Sequence, residues 1–226
     1  MVSSKKAYIA LSLAVLLVAC ARTICGVYHK VQKNETLWKI AQTYNVDIQE
    51  IAEINDIDDP AEIETGQRIF IPGARRVLRA RLYPPKEEDA APPKEEIFHS
   101  KGKFIWPVEG EISSRFGIRE GKKHDGIDIA APRGTPVRAS DDGKVLYSGR
   151  GERGLRGYGN LILISHGDGY VTVYAHNKVN LVKAGDIVKR GQKIAEVGGT
   201  GRTRGSHLHF QIRKDRKPRN PLFFLP

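Results

Sequence analysis

The stretch Ser206-His207-Leu208-His209-Phe210-Gln211-Ile212 alternates between polar and apolar side chains, with the period of two that is typical of a β-strand. On such a strand His207 and His209 point to the same face, about 6.5–7 Å apart. The apolar side chains between them point to the other face, into a core. Two histidines on one strand face are far less often structural than a single one, so this strand is the first candidate for chemistry.

The region around this strand, residues 104–226, is rich in glycine and in short β-branched segments such as 161–164 (LILI) and 170–174 (YVTVY). Turn sequences, for example Asp141-Asp142-Gly143, separate these segments, and no long helical period occurs. We therefore predict a mostly antiparallel β domain over residues 104–226.

A second polar pair lies upstream, in Lys123-His124-Asp125-Gly126-Ile127-Asp128. A straight strand would separate His124 and Asp128 by about 13 Å. That is too far for one metal ion with bonds near 2 Å, so a turn at Asp125-Gly126 would have to fold the pair together. Taken alone, the pair is more simply a surface histidine and a solvated aspartate.

Together these pieces resemble the lysostaphin-type (LytM) zinc metallopeptidases. The family motifs H-x-x-x-D, Tyr-x-His and H-x-H match His124 to Asp128, Tyr174-Ala175-His176, and His207 to His209. Further matches are Ile105-Trp106-Pro107-Val108, Ser114-Arg115-Phe116-Gly117-Ile118-Arg119, Gly126-Ile127-Asp128-Ile129-Ala130-Ala131-Pro132, Gly134-Thr135-Pro136-Val137, Gly157-Tyr158-Gly159-Asn160 and residues 198–201. The resemblance covers nearly all of residues 104–226.

The resemblance implies a role for each of five residues. His124, Asp128 and His209 would hold Zn²⁺, which leaves an open fourth position, as catalytic zinc sites do. His176 and His207 would be catalytic histidines outside the ligand set, one moving a proton and the other stabilising an oxyanion, in an order left open. The strand spacing by itself would also allow His207 as the ligand instead of His209.

Tyr158 and Asn160 are expected to line the substrate groove.

Residues 27–72 follow a different pattern. Leu37, Ile40, Ala41 and Tyr44 recur at i, i+3, i+4 and i+7 and predict one helix. Asp47 and Glu50 stand at the spacing of a capping box for a second short helix. Short strands at 28–31 and 68–71 complete a βααβ unit, so the fold class of the whole chain is predicted to be α+β.

This βααβ unit resembles a LysM domain. The matching residues are Tyr28, Val31, Thr36-Leu37-Trp38, Ile40-Ala41, Tyr44, Val46, Ile51, Asn55, Ile63, Gly66-Gln67 and Ile69-Phe70-Ile71-Pro72. The unit departs from the family at Asn34-Glu35, where Gly-Asp is usual. The resemblance implies binding to N-acetylglucosamine glycans through two loops. The expected contacts are Asn34, Glu35, Thr36 and Ile57, and His29 is expected to be solvated.

The N-terminus predicts export. Lys5 and Lys6 precede an apolar run over 7–19, which is too short to span roughly 30 Å of hydrocarbon but typical of a signal peptide. Its end, Leu17-Val18-Ala19-Cys20, resembles a lipobox. We therefore predict a lipoprotein signal peptide over 1–19 and a lipidated tether, beginning at Cys20, over 20–26. Cleavage after Ala21 and an uncleaved anchor are the alternatives.

One region of unusual composition remains, together with the net charge and the cysteine count of the whole chain. Residues 73–103 combine prolines with dense charge and few large apolar side chains, which predicts an extended linker.

The net charge of +11 suits an anionic partner, and export excludes nucleic acid as that partner. Because the chain has only two cysteines, a metal would have to be held by histidine and carboxylate.

These features predict a zinc metalloendopeptidase that cuts peptidoglycan cross-link peptides and is targeted to the cell wall by LysM. Its expected location is the envelope, as a lipoprotein of the outer membrane facing the periplasm. The domain order also resembles the envelope lipoproteins that activate cell-wall amidases in division, which typically have lost metal ligands. All five metal-site and catalytic residues are present here, which favours the enzyme. A purely glycan-binding anchor would leave them unexplained.

Overall fold

The computed structural model describes residues 25–78, 99–119 and 121–226. The predicted signal peptide, Cys20 and the middle of the predicted linker lie outside these residues. Within the described ranges, no helix is long and apolar enough to cross a membrane. The described residues form two compact units. One contains residues up to His99 together with 117–123, and the other contains 100–116 and 124–226.

The first unit is the predicted βααβ arrangement. Its elements are β1 (Gly26–Lys30), α1 (Leu37–Tyr44), α2 (Ile48–Asn55) and β2 (Arg68–Pro72). Residues 117–123 belong to the same unit and contain β4 (Gly117–Arg119) and most of β5 (Lys122–His124), which form a two-stranded sheet. Strands β1 and β2 pair antiparallel, with Gly26 opposite Pro72 and Lys30 opposite Arg68.

Side chains at the helix starts explain where the two helices begin. The Thr36 hydroxyl accepts a hydrogen bond from the Lys39 backbone N–H, and Asp47 Oδ1 accepts one from the Gln49 N–H at 2.7 Å. Each helix then ends in a residue with left-handed backbone, Asn45 or Asp56. Such caps satisfy backbone groups that a short helix leaves unpaired, so two eight-residue helices are stable on a small core.

The second unit is mostly antiparallel β structure, as predicted. Its strands are β3 (Glu111–Ser114), β6 (Ile127–Ala130), β7 (Pro136–Arg138), β8 (Gly143–Arg150), β9 (Asn160–Ser165), β10 (Tyr170–Asn177), β11 (Val179–Asn180), β12 (Ile187–Val188), β13 (Lys193–Glu196), β14 (His207–Lys214) and β15 (Lys217–Arg219). Short 3₁₀ helices occur at Arg153–Tyr158 and Pro221–Phe223.

One large sheet organises this unit. Its strand order is β12-β8-β9-β10-β14-β6-β3, and β15 pairs with the end of β14. A smaller sheet has the order β11-β13-β7. Leu208, Phe210 and Ile212 of β14 are fully buried on one face of the large sheet, and the Phe210 ring lies 5.4 Å from that of Tyr174 on β10. The histidines between them therefore emerge on the opposite face of a central strand.

Candidate metal centre

The central position of β14 brings the two halves of the site together. It pairs with β6 on one side, with His209 opposite Asp128, and with β10 on the other, with His209 opposite Ala175. The side chains of directly opposite residues lie about 4.5–5.5 Å apart at Cβ. The register of the sheet therefore puts His209 beside Asp128, 81 positions earlier in the chain.

A turn between β5 and β6 adds His124 to this pair, as the spacing requires. Gly126 lies in the turn, packed against β14. A Cβ there would stand 2.2 Å from the Phe210 carbonyl oxygen, so any other residue would push the turn away from the sheet. The absence of a side chain at position 126 is thus what lets His124 reach Asp128.

Three donor atoms converge at the resulting cluster. His124 Nε2 lies 3.1 Å from Asp128 Oδ1 and 3.2 Å from His209 Nδ1, and the last two atoms are 2.7 Å apart. Tetrahedral ligands with bonds of about 2.0–2.1 Å stand about 3.3 Å from one another. The triangle is therefore close to the size of one face of a zinc coordination tetrahedron.

The outer nitrogen of His124 sets the proton position on its ring. His124 Nδ1 lies 2.7 Å from the Arg115 carbonyl oxygen, which can only accept a hydrogen bond. Nδ1 therefore carries a proton, and Nε2 is the nitrogen that faces the cluster. This is the arrangement by which second hydrogen bonds orient histidines that bind metals.

The acidic group of the cluster is ionised. Burial by itself raises the pKa of the Asp128 carboxyl, but hydrogen bonds to His124 and His209 outweigh burial and hold that pKa well below its ordinary value. Burial lowers the pKa of His209 more than its contact with Asp128 raises it. At neutral pH the cluster therefore combines the Asp128 carboxylate with a neutral His209 imidazole, which is the protonation state that a divalent metal ion requires of these two ligands.

The two remaining candidate histidines lie beside this cluster. The rings of His176 and His207 are 4.8 Å apart, and the His176 ring is 6.0 Å from that of His209. His176 sits where the pairing of β10 with β9 shifts register, with a left-handed φ of 64°. His207 Nε2 lies 3.7 Å from Asp128 Oδ1, just outside the triangle of donor atoms.

Backbone carbonyls orient both of these rings as well. His176 Nδ1 donates to the Thr200 carbonyl at 2.7 Å, and His207 Nδ1 lies 3.2 Å from the Gly205 carbonyl. The neutral His176 ring is thus left with a lone pair on Nε2, whereas His207 Nδ1 also lies 3.1 Å from the Thr203 hydroxyl, which can donate or accept. Burial, with a smaller contribution from the neighbouring His209, lowers the pKa of His176 to about 4, so this imidazole is neutral at neutral pH.

The two residues expected to line the groove differ in placement. Tyr158 is buried beside the cluster, with its ring 5.7 Å from that of His209. The Asn160 side-chain amide instead donates to the Asn177 and Lys178 carbonyls, where it ties the end of β9 to the next strands. Sequence reasoning missed Gln211, whose Nε2 lies 2.9 Å from His209 Nε2. Its position two residues after His209, on the same strand face, was the available signal.

The candidate glycan-binding residues of the first unit divide into exposed and buried pairs. Asn34 and Thr36 are exposed, whereas Ile57 is packed in the core. Glu35 is also buried, and its carboxylate lies 2.8 Å from His29 Nε2 and accepts a hydrogen bond from the Gln32 N–H. The expectation that His29 is solvated is wrong, because this side chain is 3% exposed between Glu35 and Tyr44.

Comparison with known proteins gives two domain matches and one relative that spans the chain. The model for peptidase family M23 matches residues 122–221, and the LysM model matches residues 29–72. The uncharacterized lipoprotein YgeR of Escherichia coli K12 is 37% identical over 96% of this chain and 90% of its own length.

The chain belongs to peptidase family M23 and carries a LysM domain.

Other similar proteins share only part of this M23 chain. The murein hydrolase activator NlpD of E. coli K12 is 50% identical over 54% of the chain and 31% of its own length. The match to the cell division protein DipM of Caulobacter vibrioides covers 24% of that protein, so the chain spans about a quarter to a third of these two relatives. A zinc-containing peptidase from Vibrio cholerae is 36% identical over 55% of this chain and 40% of its own, with a TM-score of 0.48.

The donor set of this M23 domain suits zinc. Two imidazole nitrogens and one carboxylate oxygen form the triangle, and borderline-soft Zn²⁺ commonly takes these ligands in catalytic sites. The Nδ1–H of His124 is directed to a backbone carbonyl, so its Nε2 is the nitrogen that a metal would use. Both family membership and ligand chemistry therefore point to zinc.

Substitutions should separate metal ligands from the neighbouring histidines. His124→Ala, Asp128→Ala and His209→Ala should each lower bound zinc, because each removes one corner of the triangle. His176→Ala and His207→Ala should keep near-stoichiometric zinc, since they lie outside it. Elemental analysis after dialysis measures this on all five folded variants. Loss of zinc in His207→Ala with retention in His209→Ala would reverse the assignment on β14.

Proposed function

We propose that this protein is a zinc metalloendopeptidase that hydrolyses the peptide cross-links of peptidoglycan. The observation that carries the proposal is the triangle of His124, Asp128 and His209, flanked by His176 and His207, whose rings lie 4.8 Å apart beside it. Activators that have lost metal ligands would have no need of this complete set.

The chain supplies the groups that peptide hydrolysis needs. Zinc, when bound, supplies Lewis acidity toward a peptide carbonyl and toward water. His176 and His207 can each accept a proton at Nε2, and either ring in its protonated form can then donate a hydrogen bond to a developing oxyanion. The Thr200 and Gly205 carbonyls hold the two rings in place, so little reorganisation is needed when a proton moves.

Digestion of purified sacculi tests this activity. The zinc-loaded chain without residues 1–19 should release fragments whose masses correspond to cut peptide bridges. His176→Ala and His207→Ala should lower turnover by roughly a hundredfold or more while retaining zinc, which is the usual scale for a group that transfers a proton. Mass spectrometry of the released fragments measures both. His124→Ala is the inactive control.

A second candidate function is activation of a cell-wall amidase. It is favoured by the 50% identity to NlpD, a murein hydrolase activator, over 121 residues. The same digestion separates the two functions when an amidase is added. If the wild type releases no peptide fragments alone, and both wild type and His124→Ala stimulate the amidase equally, the activator function replaces the peptidase.

We assign wall targeting to the LysM domain. Its α1 starts at an exposed loop in which Asn34 and Thr36 face solvent, whereas Glu35 serves the buried contact with His29. Asn34 has a left-handed φ of 68°, which glycine adopts without strain. The Asn34 side chain can therefore be removed while the loop keeps its shape.

Asn34→Gly should weaken binding to sacculi if the amide contacts glycan, and the free energy of unfolding should change little. Asn45→Gly is a matched control, because Asn45 is also exposed with a left-handed φ of 52°. Co-sedimentation of the His124→Ala chain with sacculi measures binding without digestion. Equal binding by the two glycine variants and their parent would exclude Asn34 from the glycan site.

We place the protein in the cell envelope, anchored through a lipid on Cys20 and facing the periplasm from the outer membrane. The named lipoproteins among its relatives support the anchor. Cys20→Ala should move the protein from the membrane to the soluble fraction, and density-gradient separation of the two membranes should locate the wild type. Continued membrane association of Cys20→Ala would indicate an uncleaved N-terminal anchor instead.

A further inference from the structure

The face of the large sheet that carries His209 continues onto β10 and β9. His209 lies opposite Ala175 of β10, and Val173, two residues before Ala175, lies opposite Leu163 of β9. Directly opposite residues of an antiparallel pair place their side chains on the same face of the sheet, as do residues two apart on one strand. Ala175, Val173 and Leu163 therefore form an apolar floor beside His209, and all three are fully buried.

The segment between β8 and β9 covers this floor. Its 3₁₀ helix, Arg153–Tyr158, inserts Leu155 and Tyr158 into one apolar cluster with the buried side chains of β9 and β10. The Tyr158 ring also lies 5.7 Å from that of His209. The 3₁₀ helix is therefore a wall that stands directly beside the candidate metal centre.

Backbone contacts fix the position of this wall. The Gly151 N–H donates to the Gly159 carbonyl at 2.8 Å, which closes the segment at its base. A Cβ at Gly159 would stand 2.3 Å from the carbonyl carbon of Thr200, so the segment packs tightly against the loop whose Thr200 carbonyl orients His176. Side chains on the outer surface of the wall are thus held at a set place relative to the site.

Three charged side chains of the wall line an open cavity of about 570 Å³, a volume within the usual range of ligand pockets. They are Arg150, Glu152 and Arg156, and all three are exposed. Glu152 occupies the N-cap position of the 3₁₀ helix, but its carboxylate caps no backbone N–H. Within the described part of the chain, none of the three is in an ion pair. The cavity thus presents two cationic groups and one anionic group to a ligand.

This set of charges suits a ligand group that carries both signs. Guanidinium groups bind carboxylates through paired N–H donors, and a carboxylate binds an ammonium in the same charge-assisted way. A purely anionic group would meet repulsion from Glu152, and a purely cationic group would meet repulsion from both arginines. A carbon that bears a free carboxylate and a free ammonium, as at the side-chain end of a diamino acid, can pair with all three side chains.

We propose that the cavity of Arg150, Glu152 and Arg156 binds such a zwitterionic amino-acid group in the peptide of the substrate. The two arginines hold the carboxylate, and Glu152 holds the ammonium. The proposal rests on the proposed function only in taking this group from the peptides of peptidoglycan. It makes residues 150–158 a determinant of which peptides the site accepts, separate from the residues that would perform hydrolysis.

Three glycan-free tetrapeptides with the sequence pattern of peptidoglycan stem peptides test the proposal. Their third residue is diaminopimelate, which has both groups at its side-chain end, lysine, which has the ammonium alone, or diaminopimelate acetylated at that ammonium, which keeps the carboxylate alone. Fluorescence polarisation of the labelled peptides at low salt measures their binding to the His124→Ala chain. The diaminopimelate peptide should bind about threefold to fivefold more tightly than either of the others, the upper scale for an exposed ion pair.

Variants of the cavity assign each charge in the same background. Arg150→Gln and Arg156→Gln should each weaken binding of the diaminopimelate peptide about threefold to fivefold without weakening that of the lysine peptide. Glu152→Gln should weaken the diaminopimelate peptide and leave the acetylated peptide unchanged. Arg216→Gln is the matched control, because Arg216 is exposed beyond the end of β14 that lies away from His209, and its loss changes the net charge equally.

Equal binding of the three peptides, or binding of none of them, would overturn the proposal. A loss in Arg216→Gln as large as that in the two cavity arginines would also overturn it, because general charge would then explain the binding. The same holds if the cavity arginines affect the lysine peptide as strongly as the diaminopimelate peptide. Failure of sacculus digestion is a separate result, since these measurements use a chain without activity, and it would count only against the peptidase function.

Discussion

The antiparallel pairing of β14 with β6 is the constraint on which the candidate site depends. It places His209 opposite Asp128, and the apolar face of β14 holds that register, since a slip by one residue would turn Leu208, Phe210 and Ile212 toward the buried polar side chains of the other face. Such a slip would also turn both histidines of the strand into the core. The alternation of apolar and polar side chains along β14 therefore determines both the packing of the core and the placement of the candidate ligands.

Backbone carbonyls complete the site by deciding where protons lie. His124, His176 and His207 each have a carbonyl oxygen near Nδ1, at 2.7, 2.7 and 3.2 Å. Because a carbonyl only accepts, Nδ1 of His124 and Nδ1 of His176 carry a proton, and Nε2 of each ring faces the donor cluster. His209 differs, since its outer nitrogen lies 2.9 Å from the side-chain amide of Gln211. Main-chain carbonyls therefore orient three of the rings, and a side-chain amide contacts the fourth.

The LysM unit uses a buried polar contact for a different purpose. The His29 and Glu35 side chains, both 3% exposed, join β1 to the loop before α1, and Glu35 also binds the Gln32 N–H. The residue pair Asn34-Glu35, which departs from the usual family sequence, therefore does two separate things. Asn34 takes up the left-handed turn and faces solvent, while Glu35 closes the turn from inside.

Much of this protein was determined by the sequence alone, because it depends on local periodicity and on residue types. The alternation in 206–212, the helical spacing from Leu37 to Tyr44, and the Asp47 cap each specify an element through its own side chains, and the family motifs identify the two domains. The convergence of His124 on Asp128 required tertiary structure, since only the close approach of Gly126 to β14 shows how the turn is held. The same is true of the buried state of His29 and of the outer contacts of the histidines. Those features depend on which carbonyl, amide or carboxylate a distant part of the chain brings within hydrogen-bonding distance, and hydrogen bonds between residues far apart in sequence leave no periodic pattern to read.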